Sequence, residues 1–233
     1  FTLPEGLFDA ATDLGARHRA SAFMVLLAGF AATISRMSGQ TDVVIGSTTA
    51  GRDVPQTTSM IGMFINQLVL RTDLGGDPTF GELVDRVRDV QLSAMEHRET
   101  PFQTIVDAIA RPATESSGTG RIPGVQPVYQ LGFNFIPDTG LELLRYTTTK
   151  DDLAIDITAT DGRLLYRTDL YDDATAAAIA ARYLTVLRAG TERPELRLSQ
   201  LPMVSADEVA EVVRRGRGGD RPDGAVIASI PSL

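Results

Sequence analysis

Apolar residues recur at a helical period through the amino-terminal part of the chain and at a strand period further on. Leu7, Ala11 and Leu14 place one helix within 5–19. Phe23, Leu26, Leu27, Phe30, Ile34 and Met37 share one face of a second helix, capped by Ser21 and ended by Gly39. Residues 42–48 are β-branched and apolar enough for a buried strand, and 63–74 predict another. Thr79 and Glu82 form a capping box for a helix to about Arg98, with Leu83, Val87, Val90 and Ala94 on its apolar side. Pro101 suits the first turn of a shorter helix ending at Ala110.

Beyond a long Gly- and Pro-punctuated loop, 111–127, residues 128–135 alternate. Tyr129, Leu131, Phe133 and Phe135 fall on one face, and Gln130, Gly132 and Asn134 on the other. Residues 153–160 and 164–169 read as a hairpin joined at Asp161-Gly162. Asp172 or Asp173 then caps a helix to about Arg188 that turns Ile179, Tyr183, Val186 and Leu187 inward. This order predicts an α+β fold, a mixed β-sheet covered by helices, rather than a doubly wound parallel one. A last helix at 205–214, a linker at 216–224 and an apolar tail at 225–233 set an expected boundary: a domain over 1–204, then an exit toward a following domain over 205–233. No internal repeat is present.

Composition narrows the function classes. The 43% hydrophobic and 22% charged content is that of a globular protein, and no run of apolar residues is long enough for a membrane span. A net charge of -8, with Lys150 the single lysine, argues against nucleic acid as a partner. Cysteine is absent, which removes disulfides, thiolate metal sites and a cysteine nucleophile, and leaves a cytoplasmic setting as the default. His18 and His97 stand apart and without metal-ligand spacing, so no metal is expected. The acidic pairs Asp151-Asp152 and Asp172-Asp173 flank predicted elements, where capping accounts for them. No nucleophile elbow, Walker loop or dinucleotide fingerprint occurs. The chain opens at Phe1 without Met or a targeting pattern, and reads as cut from something longer.

The informative stretch is 46–71, GSTTAGRDVPQTTSMIGMFINQLVLR. Asn66 and Gln67 sit where a plain core strand carries Val or Ile, and a buried amide without partners costs roughly 1–3 kcal/mol. Asn66 shares a predicted face with Phe64 and Leu68, and Gln130 and Asn134 share one with Gly132. These amides either line a channel past a small residue or form a hydrogen-bond network between neighbouring strands. Both alternatives stay open at this level.

Several separated segments resemble one family, the condensation domains of nonribosomal peptide synthetases. Ala50-Gly51-Arg52 followed by Ile61-Gly62-Met63-Phe64-Ile65-Asn66-Gln67 matches a Gly-Arg turn and strand of the second half of that domain. His97 to Gln103 is similar to its His-x-x-x-Pro-Phe segment, although an acidic residue more often follows the Phe. Pro127 to Phe135 resembles its Pro-Leu-Phe-Gln strand, with the lead-in poorly kept at Arg121, and Leu196 to Asp207 resembles the exit toward an adenylation domain.

The resemblance implies one lobe, the carboxyl-terminal one, of a chloramphenicol-acetyltransferase-like pseudo-dimer. It implies amide formation between donor acyl and acceptor aminoacyl thioesters, both held on phosphopantetheine arms of peptidyl carrier proteins. No cofactor is then bound directly. The implied partners are the amino-terminal lobe, the donor and acceptor carriers and a downstream adenylation domain. The family's His-His-x-x-x-Asp-Gly motif is not in this sequence, so no catalytic residue is assigned here and the chain alone is expected to be inactive. The residues implied for a substrate tunnel are Asn66, then Gln130 and Asn134, with Gly62 and Gly132 giving clearance; Gly51 and Arg52 are implied as structural turn residues. The competing readings are a noncatalytic condensation-like module recruiting a carrier or tailoring enzyme, and an epimerisation or heterocyclisation relative.

Overall fold

The computed structural model describes residues 1–52, 54–110, 126–136 and 148–216. The expected loop at 111–127 lies almost wholly outside these residues, as do the lead-in at Arg121, the linker beyond Gly216 and the apolar tail. Two compact units are present, Phe1–Met203 and Val204–Leu233.

In the first unit α1 (Leu7–Arg17) and α2 (Ala22–Ser38) precede β1 (Asp42–Thr49) and β2 (Asn66–Asp73). Next come α3 (Phe80–Glu96), α4 (Phe102–Ala110), β3 (Leu131–Phe135), β4 (Leu153–Ile157), β5 (Gly162–Tyr166) and α5 (Asp173–Glu192). The caps are the ones the sequence signals. Ser21 accepts from the Met24 N–H, Thr79 and Glu82 exchange hydrogen bonds, and Asp172 accepts from the Thr175 N–H at 2.7 Å. Each satisfies an amide that the first helical turn leaves without a partner.

The strands form one mixed sheet in the order β2-β1-β3-β4-β5. The two outer pairs are antiparallel, while β1–β3 and β3–β4 are parallel. Val43, Ile45, Leu68, Leu70, Phe133, Leu153, Ile155 and Ile157 face one continuous core with Leu26, Phe30, Leu83, Val87, Ile179 and Tyr183 from the helices. Phe30 stacks on Phe133, with ring centroids 5.7 Å apart. Strand alternation therefore turns Gly46, Thr48, Gly132, Asn134, Ala154 and Asp156 to the opposite face.

Two strand expectations need correction. The second strand begins at Asn66 and not at Met63. Arg52 is the physical reason: its guanidinium donates to the carbonyls of Thr57, Met60 and Gly62 and lies 4.5 Å over the Phe64 ring, which holds 57–64 as a loop. Phe64 is therefore not a strand neighbour of Asn66. The third strand begins at Leu131 and not at residue 128, and Tyr129 leaves the face of Phe133. Its ring instead lies on Gly46, where any Cβ would fall 2.1 Å from ring atoms. The hairpin also closes differently, since Gly162 is the first residue of β5 and Thr158–Asp161 make the turn, with the Thr158 N–H donating to the Asp161 carbonyl at 2.7 Å.

The second unit holds α6 (Ala206–Gly216), which Ser205 caps through the Glu208 N–H. No helix among the described residues is long and apolar enough to cross a membrane.

Candidate functional site

A cleft of about 690 Å³ opens where β1 and β3 end. Thr48, Thr49 and Phe135 form its sheet side, and Arg52, Gly62 and Phe64 belong to the loop across from it. Gly51 makes the turn into this loop at φ 61°, a left-handed conformation, and a Cβ there would lie 2.0 Å from the Phe64 carbonyl oxygen. The loop exposes apolar side chains beside the cleft: Ile61 and Met63 are almost wholly in solvent, at 104% and 93%.

Behind the cleft runs a polar row across three strands. Asn134 Oδ1 accepts from the Thr48 hydroxyl at 3.0 Å and the Thr48 N–H at 3.2 Å, and Asn134 Nδ2 donates to Asp156 Oδ1 at 3.0 Å. Asp156 is 9% exposed and pairs in register with Arg163 of β5. A carboxamide is suited to this place, because it offers an acceptor to one strand and a donor to the next.

One step along the strands, Gly46 and Gly132 are register partners. Tyr129 covers Gly46, and the Asp151 carboxylate rests against Gly132, where a Cβ would fall 2.5 Å from Oδ2. Burial, with the charges of Asp152 and Asp156 behind it, pushes the Asp151 carboxyl up to about 6, and Lys150 opposes this. Burial first, then the charge of Asp151, pushes the Tyr129 phenol up to about 12. Capping does not account for the Asp151-Asp152 pair: Asp152 pairs with Arg167 at 3.2 Å and Asp151 sits on the sheet.

The expected site residues do not converge on one place. Gly62 and Arg52 line the cleft, and Asn134 reaches it through Thr48. Gly132 lies further along the same face. Gln130 is exposed and its side chain turns back to the Gln126 carbonyl at 3.0 Å. Asn66 is on the helix-bearing side, and its Nδ2 donates to the carbonyls of Arg98 and Thr100 at 2.7 and 2.8 Å. It tethers the α3–α4 connection to β2. That connection, with Gln67, Val69, His97 and Thr100, lines a second cavity of about 720 Å³ at the free edge of the sheet. His18 packs on Gly81 and lies 3.2 Å from Asp85, joining α1 to α3. Thr48, Asp156, Tyr129 and Asp151 were not singled out as site residues from sequence, because their roles depend on the register of β1 with β3, which leaves no local pattern.

An α+β unit with a mixed sheet, helices on its core face and a cleft at the ends of two parallel strands defines the class. The Condensation domain profile matches residues 1–213. A dimodular nonribosomal peptide synthase of Bacillus subtilis (strain 168) is 36% identical over 222 residues, covering 86% of this chain and 9% of that protein. Malpinin synthetase of Mortierella alpina is 35% identical over 214 residues, covering 85% of this chain and 3% of that protein. The chain belongs to the condensation domain family of the nonribosomal peptide synthetases.

Among solved structures, the X-domain from teicoplanin biosynthesis superposes with a TM-score of 0.75 at 29% identity, over 87% of this chain and 48% of that one. A four-domain nonribosomal peptide synthetase bound to AMP and glycine shares the fold, with a TM-score of 0.77 at 18% identity over 90% of this chain and 18% of that one. The chain thus spans about half of the solved X-domain and a small part of each synthetase.

Proposed function

We propose that this chain is the carboxyl-terminal half of a condensation domain and supplies one wall of the path along which two carrier-bound thioesters meet. The reaction is attack by the amine of an acceptor aminoacyl thioester on the carbonyl of a donor acyl thioester. The N–C bond forms, the C–S bond breaks, the donor thiol leaves, and the amine loses its proton. The observation that carries this reading is the family match over 1–213, joined to a cleft at the strand ends that is walled by the Arg52 loop.

Within that reading the residues of this chain position and enclose. The Arg52 loop holds an apolar surface over the cleft, and the Thr48–Asn134–Asp156 row keeps the sheet side polar and fixed. Phosphopantetheine enters as the arm of the carrier proteins, a long thin group suited to a cleft lined by Thr hydroxyls and apolar side chains. The chain has no His-His-x-x-x-Asp-Gly motif, so the group that takes the amine's proton or stabilises the tetrahedral intermediate is assigned to the other half. The test is condensation by the parent domain with loaded carriers, with and without the replacement Arg52→Met. Loss of amide formation by the variant with binding of the carriers retained supports the reading; unchanged turnover counts against it.

A second reading has its own support. The X-domain neighbours are 29–30% identical, above the 18% of the four-domain synthetase, and one of them is a complex of the X-domain with OxyB. On this reading the chain belongs to a condensation-like module that recruits a tailoring enzyme. A parent domain that binds such an enzyme and forms no amide favours it.

A further inference from the structure

We propose that Asp151 and Tyr129, seated side by side on the paired glycines Gly46 and Gly132, form a subsite for a primary ammonium group. The seat is built by close approach. Gly132 leaves room for the Asp151 carboxylate and Gly46 for the Tyr129 ring, on neighbouring parallel strands, and neither place tolerates a Cβ. Tyr129 is only 4% exposed because its ring is held between Gly46 and Phe102 of α4, and its hydroxyl makes no hydrogen bond among the described residues. The Asp151 carboxylate, half-buried, has no hydrogen bond or ion pair among them either, while its neighbour Asp152 is engaged by Arg167. Tyr183, also buried, finds the Leu26 carbonyl, which is the ordinary fate of a core hydroxyl.

The chemistry of the seat selects its ligand. A carboxylate accepts only, and a phenol beside it accepts as well as donates. The surrounding field is negative, from Asp156 on the same face and Asp152 beside it, with Arg163 opposite Asp156 in register and Arg167 already paired. Lys150 opposes these charges and forms no ion pair with Asp151 among the described residues. A small cation with several N–H donors completes such a set, whereas an anion or a neutral carbonyl compound does not. The Thr48–Asn134–Asp156 row is two residues along the strands, about 7 Å away, and Thr48 lines the cleft. The subsite therefore places an ammonium one step from the cavity. On the condensation reading, on which this identification of the physiological ligand rests, the group is the amine of the acceptor.

The test uses the whole 233-residue chain and two probes, glycine methyl ester and its N-acetyl derivative, followed by NMR with the side-chain carboxyl carbon of Asp151 as reporter. The ester is expected to shift the Asp151 signal saturably at pH 7, and to bind progressively less as the pH falls through about 6, where the carboxyl takes up a proton. The acetylated probe should not bind. Asp151→Asn should weaken the ester about tenfold and Tyr129→Phe a few-fold, with backbone amide signals retained in both. Equal binding of the two probes, an unchanged affinity in Asp151→Asn, or no saturable shift in the folded wild-type chain would overturn the proposal. Because binding is read on this chain alone, the two readings fail separately. Ammonium binding with no amide formation by the parent domain sinks the condensation reading and leaves the subsite, and amide formation without ammonium binding does the reverse.

Discussion

Asn66 gives both protons of its carboxamide to backbone carbonyls in the α3–α4 connection, so its replacement is a folding change before it is anything else. Asn66→Ala leaves two carbonyls without their donor and should cost about 1–3 kcal/mol, read as a lower melting temperature. Asn66→Asp should cost more, since a carboxylate cannot donate and would face two carbonyl oxygens. A melting temperature unchanged in Asn66→Ala would contradict the tether. Asp151 makes the opposite prediction. Its carboxyl is raised from 3.8 to about 6, so the fold favours the protonated form. The associated stability is fully present below the ordinary carboxylate midpoint and is lost as pH rises toward 6. Asp151→Asn, which stays neutral, should match the wild type near pH 4 and exceed it at pH 7 by about 1 kcal/mol, a figure reduced for the solvent that still reaches the group. Denaturant unfolding at the two pH values decides this, and an advantage that is absent at pH 7 or larger at pH 4 would refute it.

At the scale of elements, the loop after β1 is held by one cation. Arg52→Met keeps the contact with Phe64 in part but loses the donors to Thr57, Met60 and Gly62, and should make 54–65 sensitive to limited proteolysis while β1 and β2 stay protected. Gly51→Ala should do the same, because its φ of 61° and the Phe64 carbonyl exclude a Cβ. Cleavage no faster than in the wild type would remove Arg52 from this role. These elements also mark what the sequence carries. Helix starts were legible because Ser21, Thr79 and Asp172 act through bonds within four residues, and helix faces because Leu26, Phe30, Val87 and Tyr183 keep one period. The two strand starts were not legible. Phe64 and Tyr129 are good strand residues locally, and each is drawn off by a distant partner: Arg52 lies over the first, and Gly46 offers a seat to the second. Tertiary contact overrode propensity at both. The amides show the same limit, since nothing in the order of residues tells that Asn134 bridges Thr48 and Asp156 while Asn66 faces the α3–α4 connection.

For the whole molecule, the family match covers residues 1–213, and the solved X-domain superposes over 87% of the chain. The polar row and the Asp151–Tyr129 seat lie on the sheet face opposite the main core, where Phe102 of α4 packs on Tyr129, and the cleft lies at the strand ends beside them. A path for a thioester arm along this face would pass Thr48 before reaching the glycine pair. On the proposed function, this chain encloses the substrates and places the amine, and bond formation belongs to the whole condensation domain. The most direct measurement is intact-mass detection of the amide product on the acceptor carrier, comparing the parent condensation domain with this chain alone, both supplied with donor- and acceptor-loaded carriers. Product is expected with the parent domain and none with the chain. Product from the chain alone, or none from a parent domain that is folded and binds both carriers, would contradict it.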